Sequence, residues 1–427
     1  MQTALRLGYE GAARIARALS AFAPASSNKL LTTFAARRGV QERFAAFRRD
    51  RSRPLLWMHA PSVGEGLQAR PVLQLLRERQ PRTQLAYTYF SPSARTFAAG
   101  LDVDFADVLP FDVAADMRRA LESLSPAAVV FSKLDVWPTL AHEASRRGTG
   151  LGLISATLAR DSSRRSGLAS VLLREAYGRL DRVGAISAED ADRLVSLGVP
   201  SSRVSVTGDT RYDQVWAKAR AIDRESSLLS PLASDRPTLV AGSTWPADEV
   251  VLTAAWLELA KRRPDARMII APHEPTHGHV APLEAWAGNN GLRAARLSRG
   301  STTDADVVIV DSVGVLGDLY ALASVAFVGG GFHAAGLHSV LEPASFGVPV
   351  IFGPRYAASR DARLLIDDDG AISVNDVASA RAALEGWLLD ASARAGAGNA
   401  ARLVVHRGLG AAERSYELVR ELMAASR

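Results

Sequence analysis

The sequence predicts a two-domain α/β protein in which each domain holds a parallel sheet covered by helices. The chain has 427 residues, which is more than one ordinary core accommodates. Short apolar runs alternate with helical stretches in both halves, a rhythm typical of parallel strands joined by right-handed crossovers. The rhythm lapses at residues 216–237, where charged and serine residues dominate. We therefore expect two Rossmann-like domains with a cleft between them.

The first domain is predicted over residues 55–215. Its strand candidates are apolar runs bounded by loops and separated by helical stretches such as 114–124 and 140–146. The predicted strands are 55–59, 84–89, 127–131, 151–155, 182–186 and 204–207.

The second domain is predicted over residues 238–408, after a linker at 216–237. It begins with a strand at 238–241, a loop and an amphipathic helix at 248–263. Further strands are predicted at 267–271, 307–310, 325–328 and 348–352. A last amphipathic helix, 411–424, has no strand after it.

Residues 1–54 are predicted to be a separate amphipathic and basic segment. Apolar residues recur at helical spacing, but the arginines among them make the segment a poor transmembrane span and a poor signal peptide. Seven arginines follow between residues 37 and 53 against two acids. Two interpretations stay open: a segment lying on an anionic membrane surface, or a solvated helix packed on the domain.

Composition limits the possible chemistry. The chain has no cysteine, which excludes disulfides, thiolate zinc sites and a cysteine nucleophile. The formal net charge of +6 favours an anionic partner. Nucleic acid is not expected, because aromatic residues do not interleave with the arginines. The histidines are spread over separate loops without ligand spacing, so no metal site is predicted.

Glu65 is the first catalytic candidate. It follows the strand at 55–59, between Gly64 and Gly66, where a helix begins. Ligands of open α/β sheets bind at the carboxyl ends of strands, which makes this carboxylate a candidate for chemistry. The alternative is structural, with Ser62 and Glu65 forming a capping box.

Two other loops of the first domain carry charges. Lys133 and Asp135 leave a strand close together, and Arg211 leaves another just before the linker. Arg211 has the fork needed to bind a phosphate or carboxylate. A surface ion pair with Asp209 or Asp213 explains it equally well.

Three loops of the second domain end at similar points relative to their strands. They contain the small residues Gly242, Ser243 and Thr244, the turn at 271–277, and the glycine-rich stretch 328–344. Their convergence at strand ends favours one nucleotide pocket, in which Glu342 is placed to accept hydrogen bonds from sugar hydroxyls. A triple glycine is also explained by a tight turn, and it lacks the dinucleotide-binding spacing.

The order of these motifs from residue 55 onward resembles the 3-deoxy-D-manno-octulosonic acid (Kdo) transferases of lipopolysaccharide synthesis. The motifs are Ser62-Val63-Gly64-Glu65, Asp135-Val136-Trp137-Pro138, Gly208 to Asp213, Ala241-Gly242-Ser243-Thr244, Ala271-Pro272-His273-Glu274, Gly314-Val315-Leu316-Gly317 and His338-Ser339-Val340-Leu341-Glu342-Pro343.

The resemblance implies a GT-B glycosyltransferase whose last helix, within 409–427, packs back on the first domain. It implies inverting transfer of Kdo from CMP-Kdo to a lipid A precursor, without a metal or other cofactor, at the cytoplasmic face of the inner membrane. Glu65 matches the family's base, Arg211 matches a lysine that stabilises charge, and Asp135 is the third catalytic candidate. The implied contacts with the donor are Gly242, Ser243, Thr244, Pro272, His273, Gly314, Val315, Leu316, His338, Ser339, Val340, Leu341 and Glu342.

The sequence departs from the family pattern at several of these positions. Lys133 stands where the family has glutamate, Val315 replaces a glutamate, and the family's Pro-Arg-His is here Pro272-His273-Glu274. A divergent member is expected. Two alternatives are a GT-B enzyme with another nucleotide sugar, such as a UDP-sugar transferase or epimerase, and a weakly catalytic, membrane-associated binding protein.

Overall fold

The computed structural model describes residues 2–20, 28–159, 162, 164, 167–299, 302 and 304–425. Contacts divide the chain into two compact units. Unit 1 comprises Met1–Gln214 and Leu409–Arg427, and unit 2 comprises Val215–Gly408.

Unit 1 contains a sheet of seven parallel strands in the order β3-β2-β1-β4-β5-β6-β7. The strands are β1 Leu55–His59, β2 Gln84–Tyr89, β3 Phe105–Val108, β4 Ala128–Ser132, β5 Gly150–Ala156, β6 Arg182–Ala185 and β7 Val204–Val206. The helices of the first 220 residues are α1 Gln2–Ser20, α2 Lys29–Ala35, α3 Val40–Ala46, α4 Val63–Arg79, α5 Arg95–Ala99, α6 Ala114–Leu124, α7 Pro138–Arg146, α8 Gly167–Gly178, α9 Ala188–Leu197 and α10 Arg211–Arg220.

Unit 2 contains a second parallel sheet, in the order β10-β11-β9-β8-β12-β13-β14. Its strands are β8 Thr238–Thr244, β9 Arg267–Pro272, β10 Ala294–Arg296, β11 Val307–Ile309, β12 Val325–Val328, β13 Val350–Phe352 and β14 Ala371–Ser373. Its helices are α11 Pro246–Arg262, α12 His277–Asn289, α13 Leu316–Leu319, α14 Leu341–Ser345, α15 Arg360–Asp367, α16 Val377–Leu388 and α17 Ala391–Arg407.

Strand order reverses at the centre of each sheet. In unit 1 the chain moves outward from β1 on one side and from β4 on the other, and in unit 2 the corresponding pair is β8 and β12. Helices that leave such a pair lie on opposite faces, so a crevice opens at the carboxyl ends of the two strands. The loops after β1, β4, β8 and β12 are therefore the positions where each unit offers a binding site.

The last helix, α18 Ala411–Ala425, belongs to unit 1. Val419 and Leu422 are buried in the same core as the strands of unit 1. The carboxylate of Asp213 accepts hydrogen bonds from the backbone N–H groups of Gly410 (2.8 Å) and Ala412 (2.9 Å). Asp213 thus fixes the start of this helix, which packs on the first domain as the resemblance implied.

Three strands were not predicted: β3, β10 and β14. Each has three or four residues, lies at an edge of its sheet and exposes part of its length. Edge strands lack the continuous apolar run that marks a strand buried on both faces, so their sequences carry a weaker signal.

Residues 216–237, predicted as a linker, contain the second half of α10 and a short 3₁₀ turn, Ser230–Leu232. Leu229 and Leu232 are fully buried in a core cluster of unit 2. Two buried leucines therefore attach this otherwise charged segment to the core of unit 2.

Part of the predicted N-terminal segment is integral to unit 1, while residues 21–27 lie outside the described residues. Val40 and Phe44 of α3 are buried in the core of unit 1. Arg37 is also buried and donates hydrogen bonds to the carbonyl oxygens of Thr33 and Phe90. Within the described part of the chain, no helix has both the length and the apolar character needed to cross a bilayer.

Candidate functional site

Glu65 lies in the first turn of α4, directly after β1 at the centre of the unit 1 sheet. Ser62 Oγ donates a short hydrogen bond to Glu65 Oε2, and Lys133 Nζ donates one to Oε1 at 3.2 Å. Ser132 Oγ donates to the backbone oxygen of Glu65 at 3.0 Å. The loops after β1 and β4 are joined through this residue.

The capping box, the structural alternative for Ser62 and Glu65, does not form. Ser62 occupies the N-cap position, but its side chain accepts no backbone N–H and is directed to the Glu65 carboxylate instead. The Ser62 side chain therefore orients the carboxylate rather than the helix end.

The Glu65 carboxyl group stays ionised at lower pH than an ordinary glutamate, because its pKa is lowered. Burial by itself raises its pKa, but the hydrogen bond from Ser62 and the charge and hydrogen bond of Lys133 outweigh burial, and the net pKa is lowered. Its side chain is 16% exposed, against 42% for Lys133. The carboxylate is thus charged, oriented and within reach of a ligand.

Lys133 and Asp135 are close in sequence but have different partners. Lys133 has a left-handed backbone (φ 70°) and pairs with Glu65, while Asp135 forms a short ion pair with Arg164. Arg164 also donates to the carbonyl oxygen of Leu134 at 3.0 Å. Asp135 is therefore held by Arg164 and not by the Lys133–Glu65 pair.

Arg211 forms the predicted ion pair with Asp209. Its Nη2 lies 2.7 Å from Asp209 Oδ2, and its backbone N–H donates to Oδ1. Asp209 is almost completely buried and also accepts a hydrogen bond from Gln68 Nε2 at 3.2 Å. Thr210 Oγ1 donates to the backbone oxygen of Gln68. Gln68 lies one turn after Glu65, so the Arg211 loop is attached to the helix that carries Glu65.

A hollow of about 410 Å³ opens at the carboxyl edge of the same sheet. Phe90 and Trp137 stack at 5.2 Å, and Pro61, at the start of the Glu65 loop, also lines it. The other lining residues are Tyr9, Asp135, Val136, Pro138, Arg164, Leu172 and Leu173.

Trp137 Nε1 donates to buried His59 Nε2 at 2.9 Å. Burial, then the Arg37 charge, lowers the pKa of His59 to about 3, so the imidazole stays neutral and accepts this bond.

In unit 2 the triple glycine is explained by packing. A Cβ on Gly329 would lie 2.2 Å from the Ser243 backbone oxygen, and one on Gly331 would lie 2.4 Å from the Gly353 nitrogen. The N–H groups of Gly330 and Phe332 donate to the fully buried carboxylate of Asp248. Gly329 and Gly331 therefore let backbone segments approach each other closely.

Gly242, Ser243 and Thr244 form the end of β8 rather than a separate loop. A bulge interrupts the pairing with β9, and Ser243 has a left-handed backbone (φ 54°). A Cβ on Gly242 would lie 2.2 Å from the Tyr320 hydroxyl, and Thr244 Oγ1 donates to Glu249 at 2.8 Å. All three lie at the carboxyl edge of the sheet.

Trp245 and three histidines form an aromatic cluster at this edge; His273 follows β9, and His333 and His338 lie in the loop between β12 and α14. The Trp245 ring stacks on His273 (centroids 4.6 Å apart) and on His333 (4.1 Å), and His273 lies 4.5 Å from His338. Trp245 Nε1 donates to His338 Nε2 at 3.4 Å. Burial, then the His273 charge, lowers the pKa of His338, which favours the neutral ring that accepts this bond.

Burial perturbs the Glu342 carboxyl group at this edge. Burial raises its pKa; the Lys218 charge opposes this and the Asp318 charge adds to it. Lys218 Nζ lies 3.0 Å from Asp318 Oδ1, and a Cβ on Gly317 would meet both Lys218 and Glu342. The absence of a side chain at Gly317 therefore leaves room for the Lys218 ammonium group beside Glu342.

The remaining predicted donor contacts differ in exposure. Gly314 and Ser339 are exposed, Val315 and Leu316 pack partly on the core, and Val340 and Leu341 are buried. Pro272 is buried at the end of β9, whereas His273 is exposed. Val340 and Leu341 can therefore offer only backbone atoms to a ligand. In the described residues, no three His, Asp or Glu side chains are arranged to hold a metal ion.

Residues 38–214 match the family model described as 3-deoxy-D-manno-octulosonic-acid transferase. The chain is 31% identical over 318 residues to 3-deoxy-D-manno-octulosonic acid transferase of Bordetella pertussis, covering 72% of this chain and 73% of that protein. It is 27% identical over 374 residues to the Haemophilus influenzae protein of the same name, covering 86% of each.

The chain belongs to the Kdo transferase family. It is therefore a glycosyltransferase, as predicted. Among solved structures, UDP-GlcNAc 2-epimerase from Neisseria meningitidis bound to UDP-GlcNAc has a similar fold, with a TM-score of 0.65 at 14% identity, covering 86% of this chain and 100% of that one. Together with the two seven-stranded parallel sheets and the closing helix α18, this confirms the predicted GT-B fold.

The contacts of Lys133 give a meaning to one departure from the Kdo transferase pattern. The resemblance implies a glutamate at this position, and a second carboxylate beside Glu65 would raise the pKa of Glu65 by repulsion. Lys133 does the opposite, since its ammonium group lowers that pKa. The departure changes the electrostatics of the proposed base directly.

Several residues of these sites were not identified from the sequence. They are Ser62 as a partner of the Glu65 carboxylate, Gln68, Trp245, and Asp248 beneath the glycine loop. Trp245 could have been identified from the sequence, because this aromatic residue directly follows the small residues that end a strand. Gln68 and Asp248 carried none, since their partners are 141 and 82 residues away.

Proposed function

We propose that this protein transfers Kdo, or a closely related sugar acid, from its CMP-activated form to a lipid A-type acceptor, with inversion at the anomeric carbon. The observation that carries the proposal is the Glu65 carboxylate, ionised and held between Ser62 and Lys133 at the carboxyl edge of the unit 1 sheet. Membership of the Kdo transferase family supports the donor and acceptor classes.

Glu65 is the proposed general base. Its carboxylate takes the proton of an acceptor hydroxyl while that oxygen attacks the anomeric carbon of the donor. The bond from the anomeric carbon to the phosphate oxygen breaks, and CMP leaves with the electron pair. Arg211, oriented by Asp209, is proposed to stabilise the negative charge on the departing phosphate or on the sugar carboxylate. Asp135, through its pair with Arg164, is proposed to support the acceptor side.

Unit 2 is proposed to bind the donor. His273 and the aromatic cluster offer ring faces to the nucleotide, and Glu342 offers a carboxyl group to sugar hydroxyls. Gly242, Ser243, Thr244, Pro272, the 314–316 turn and residues 338–341 complete the proposed contacts, mainly through backbone atoms. No cofactor is included in the proposal.

The hollow beside the Glu65 loop is proposed to take a hydrocarbon part of the acceptor. Its Phe90–Trp137 wall and its leucines are apolar, and Pro61 places it next to the loop that carries the base. The acceptor implies a membrane, and we place the protein at the cytoplasmic face of the inner membrane as a peripheral protein. Ile15, Leu19 and Leu30 support this placement, being 63%, 58% and 61% exposed on α1 and α2.

The test is Glu65→Gln, which keeps the size of the side chain and removes the base. Transfer from CMP-Kdo to a lipid A precursor is expected to fall by about 10²–10⁴-fold. The thermal shift produced by CMP should be unchanged, because CMP binding belongs to unit 2. The matched control is Glu78→Gln, an exposed position on the same helix. Full transfer by Glu65→Gln would refute the assignment.

The same assay distinguishes the alternatives. Stabilisation by UDP or GDP but not by CMP would indicate another donor. Stabilisation by CMP without any transferred product from wild-type protein would indicate a binding protein.

A further inference from the structure

A recess of about 760 Å³ lies at the opposite, amino-terminal edge of the unit 1 sheet. It is lined by residues that precede β1, β2 and β4, such as Pro54, Thr83 and Ala127. Glu65 follows the carboxyl end of β1, so the five residues of that strand, about 16 Å, separate the recess from it. The recess is therefore distinct from the proposed transferase site.

Five arginines line the recess, and no acidic side chain does. They are Arg49, Arg51, Arg53, Arg79 and Arg82. Three come from the basic stretch at 37–53, and two come from the end of α4 and the turn after it. The fold therefore splits the basic stretch, since Arg37 is buried and Arg43 pairs with Asp107 away from this lining.

Backbone carbonyls orient these guanidinium groups without neutralising them. Arg49 donates to the carbonyl oxygens of Leu124 (2.8 Å) and Arg53 (2.7 Å). Arg53 donates to those of Arg82 (2.9 Å) and Pro81 (3.1 Å). Because a carbonyl carries no net charge, the positive charge of each group remains while its direction is fixed.

Only one of the five arginines forms an ion pair in the described residues. Arg79 pairs with Glu413, whereas Arg49, Arg51, Arg53 and Arg82 form no ion pair there. The exposed Asp50 carboxylate accepts its hydrogen bonds from Ser52. Burial, then the Arg51 charge, lowers the pKa of Arg49; the Asp50 charge opposes this and the Arg53 charge adds to it, so the net pKa is lowered. An anion that enters the recess relieves this repulsion.

We propose that this recess binds the phosphate groups of a phosphorylated ligand. Guanidinium groups match phosphate oxygens in a two-pronged geometry, and their orientation here is set before any ligand arrives. Phosphate chemistry of this kind is supplied by a soluble phosphorylated compound or by a phospholipid headgroup. The proposal is independent of sugar transfer, because no residue of the recess belongs to the proposed transferase site.

The test is the double variant Arg51→Gln/Arg82→Gln in the full-length protein. Both side chains are exposed. Neither side chain belongs to the hydrogen bonds by which Arg49 and Arg53 hold the backbone carbonyls of the recess. The control, Arg146→Gln/Arg381→Gln, removes the same charge from two exposed helix positions outside the recess. Inorganic pyrophosphate is titrated by calorimetry, and flotation is measured with phosphatidylcholine vesicles containing phosphatidylglycerol.

Binding in at least one of the two assays is expected to weaken about tenfold or more in the recess variant, since each lost charge-assisted hydrogen bond is worth roughly that factor. The control variant should bind like wild type. A loss with pyrophosphate only supports a soluble ligand, and a loss with vesicles only supports a headgroup. Equal binding by both double variants in both assays, or no binding by wild type in either, overturns the proposal. Transfer activity on CMP-Kdo should be retained by both variants, which separates this outcome from a failure of the proposed function.

Discussion

The Glu65 carboxylate lies between a hydroxyl and an ammonium group, and both determine its chemistry. Ser62 and Lys133 each bind a different carboxylate oxygen. A base with a low pKa is ionised over a wide pH range but is intrinsically weaker, because basicity follows pKa. Lys133 therefore extends the working range of the proposed base towards acid.

Lys133→Gln is expected to raise the pKa of Glu65, because removing the cation removes a term that favours the charged carboxylate. The acid limb of kcat/KM against pH should move to higher pH, since a larger fraction of the base is protonated at any acidic pH. The measurement is the pH profile of transfer from CMP-Kdo.

Lys261→Gln is the matched control. Lys261 also pairs with a glutamate, Glu258, at 2.6 Å, but on the exposed face of α11 in unit 2. Its profile should superimpose on that of wild type. Superimposable profiles for Lys133→Gln and wild type would show that Lys133 does not tune the base.

At the scale of the element, α4 contains two glycines in its first turn that are present for different reasons. A Cβ on Gly66 would lie 2.4 Å from Phe97 Cε1 and 2.7 Å from the Tyr87 hydroxyl. A Cβ on Gly64 would meet only Ser62 Oγ, at 3.7 Å. Gly66 lets α4 approach the sheet, whereas Gly64 leaves open space beside Glu65.

Gly66→Ala is expected to destabilise unit 1 by about 1–3 kcal/mol, the usual cost of overpacking. Gly64→Ala should leave stability unchanged or raise it by up to about 1 kcal/mol, because alanine favours a helix over glycine. Urea denaturation of both variants measures the difference. Equal stability of the two would contradict the close packing of α4 at Gly66.

At the scale of the whole molecule, the N-terminal helices combine attachment with exposed apolar side chains. Tyr9 donates to Asp112 at 2.8 Å, and Arg17 pairs with Asp116 at 2.9 Å, which fixes α1 on unit 1. Ile15 and Leu19 remain exposed. Deleting residues 1–54 would also remove Val40 and Phe44 from the core, so substitutions are the better probe of membrane binding.

Ile15→Ser/Leu19→Ser is expected to reduce flotation with phosphatidylglycerol vesicles by at least about tenfold. Burial of one such side chain contributes about 1.5–3 kcal/mol, and 1.4 kcal/mol is a factor of ten. The matched control is Val250→Ser/Leu403→Ser, two exposed apolar positions of unit 2. Flotation of the first variant at the wild-type level would refute membrane contact through α1.

The central strands were predictable because they are buried on both faces and read as continuous apolar runs. β1, β2 and β12 were predicted with the bounds that the structure has. The edge strands β3, β10 and β14 were not predicted, because half-exposed segments lose that pattern, although the exposed edge strand β7 was predicted at 204–207. The placement of Glu65 was also predictable, since a parallel sheet brings the loop after its first strand to the carboxyl edge.

The sequence by itself determined the two α/β halves, the order of the family motifs and the position of Glu65 after a strand. Only the tertiary structure decided which charge meets which: Lys133 with Glu65, Asp135 with Arg164, and Arg79 and Arg82 beside the arginines of residues 49–53. The physical reason is that periodicity records local burial, whereas ion pairs and pockets depend on strand order. Strand order brings residues 29 or 68 positions apart to one edge of a sheet.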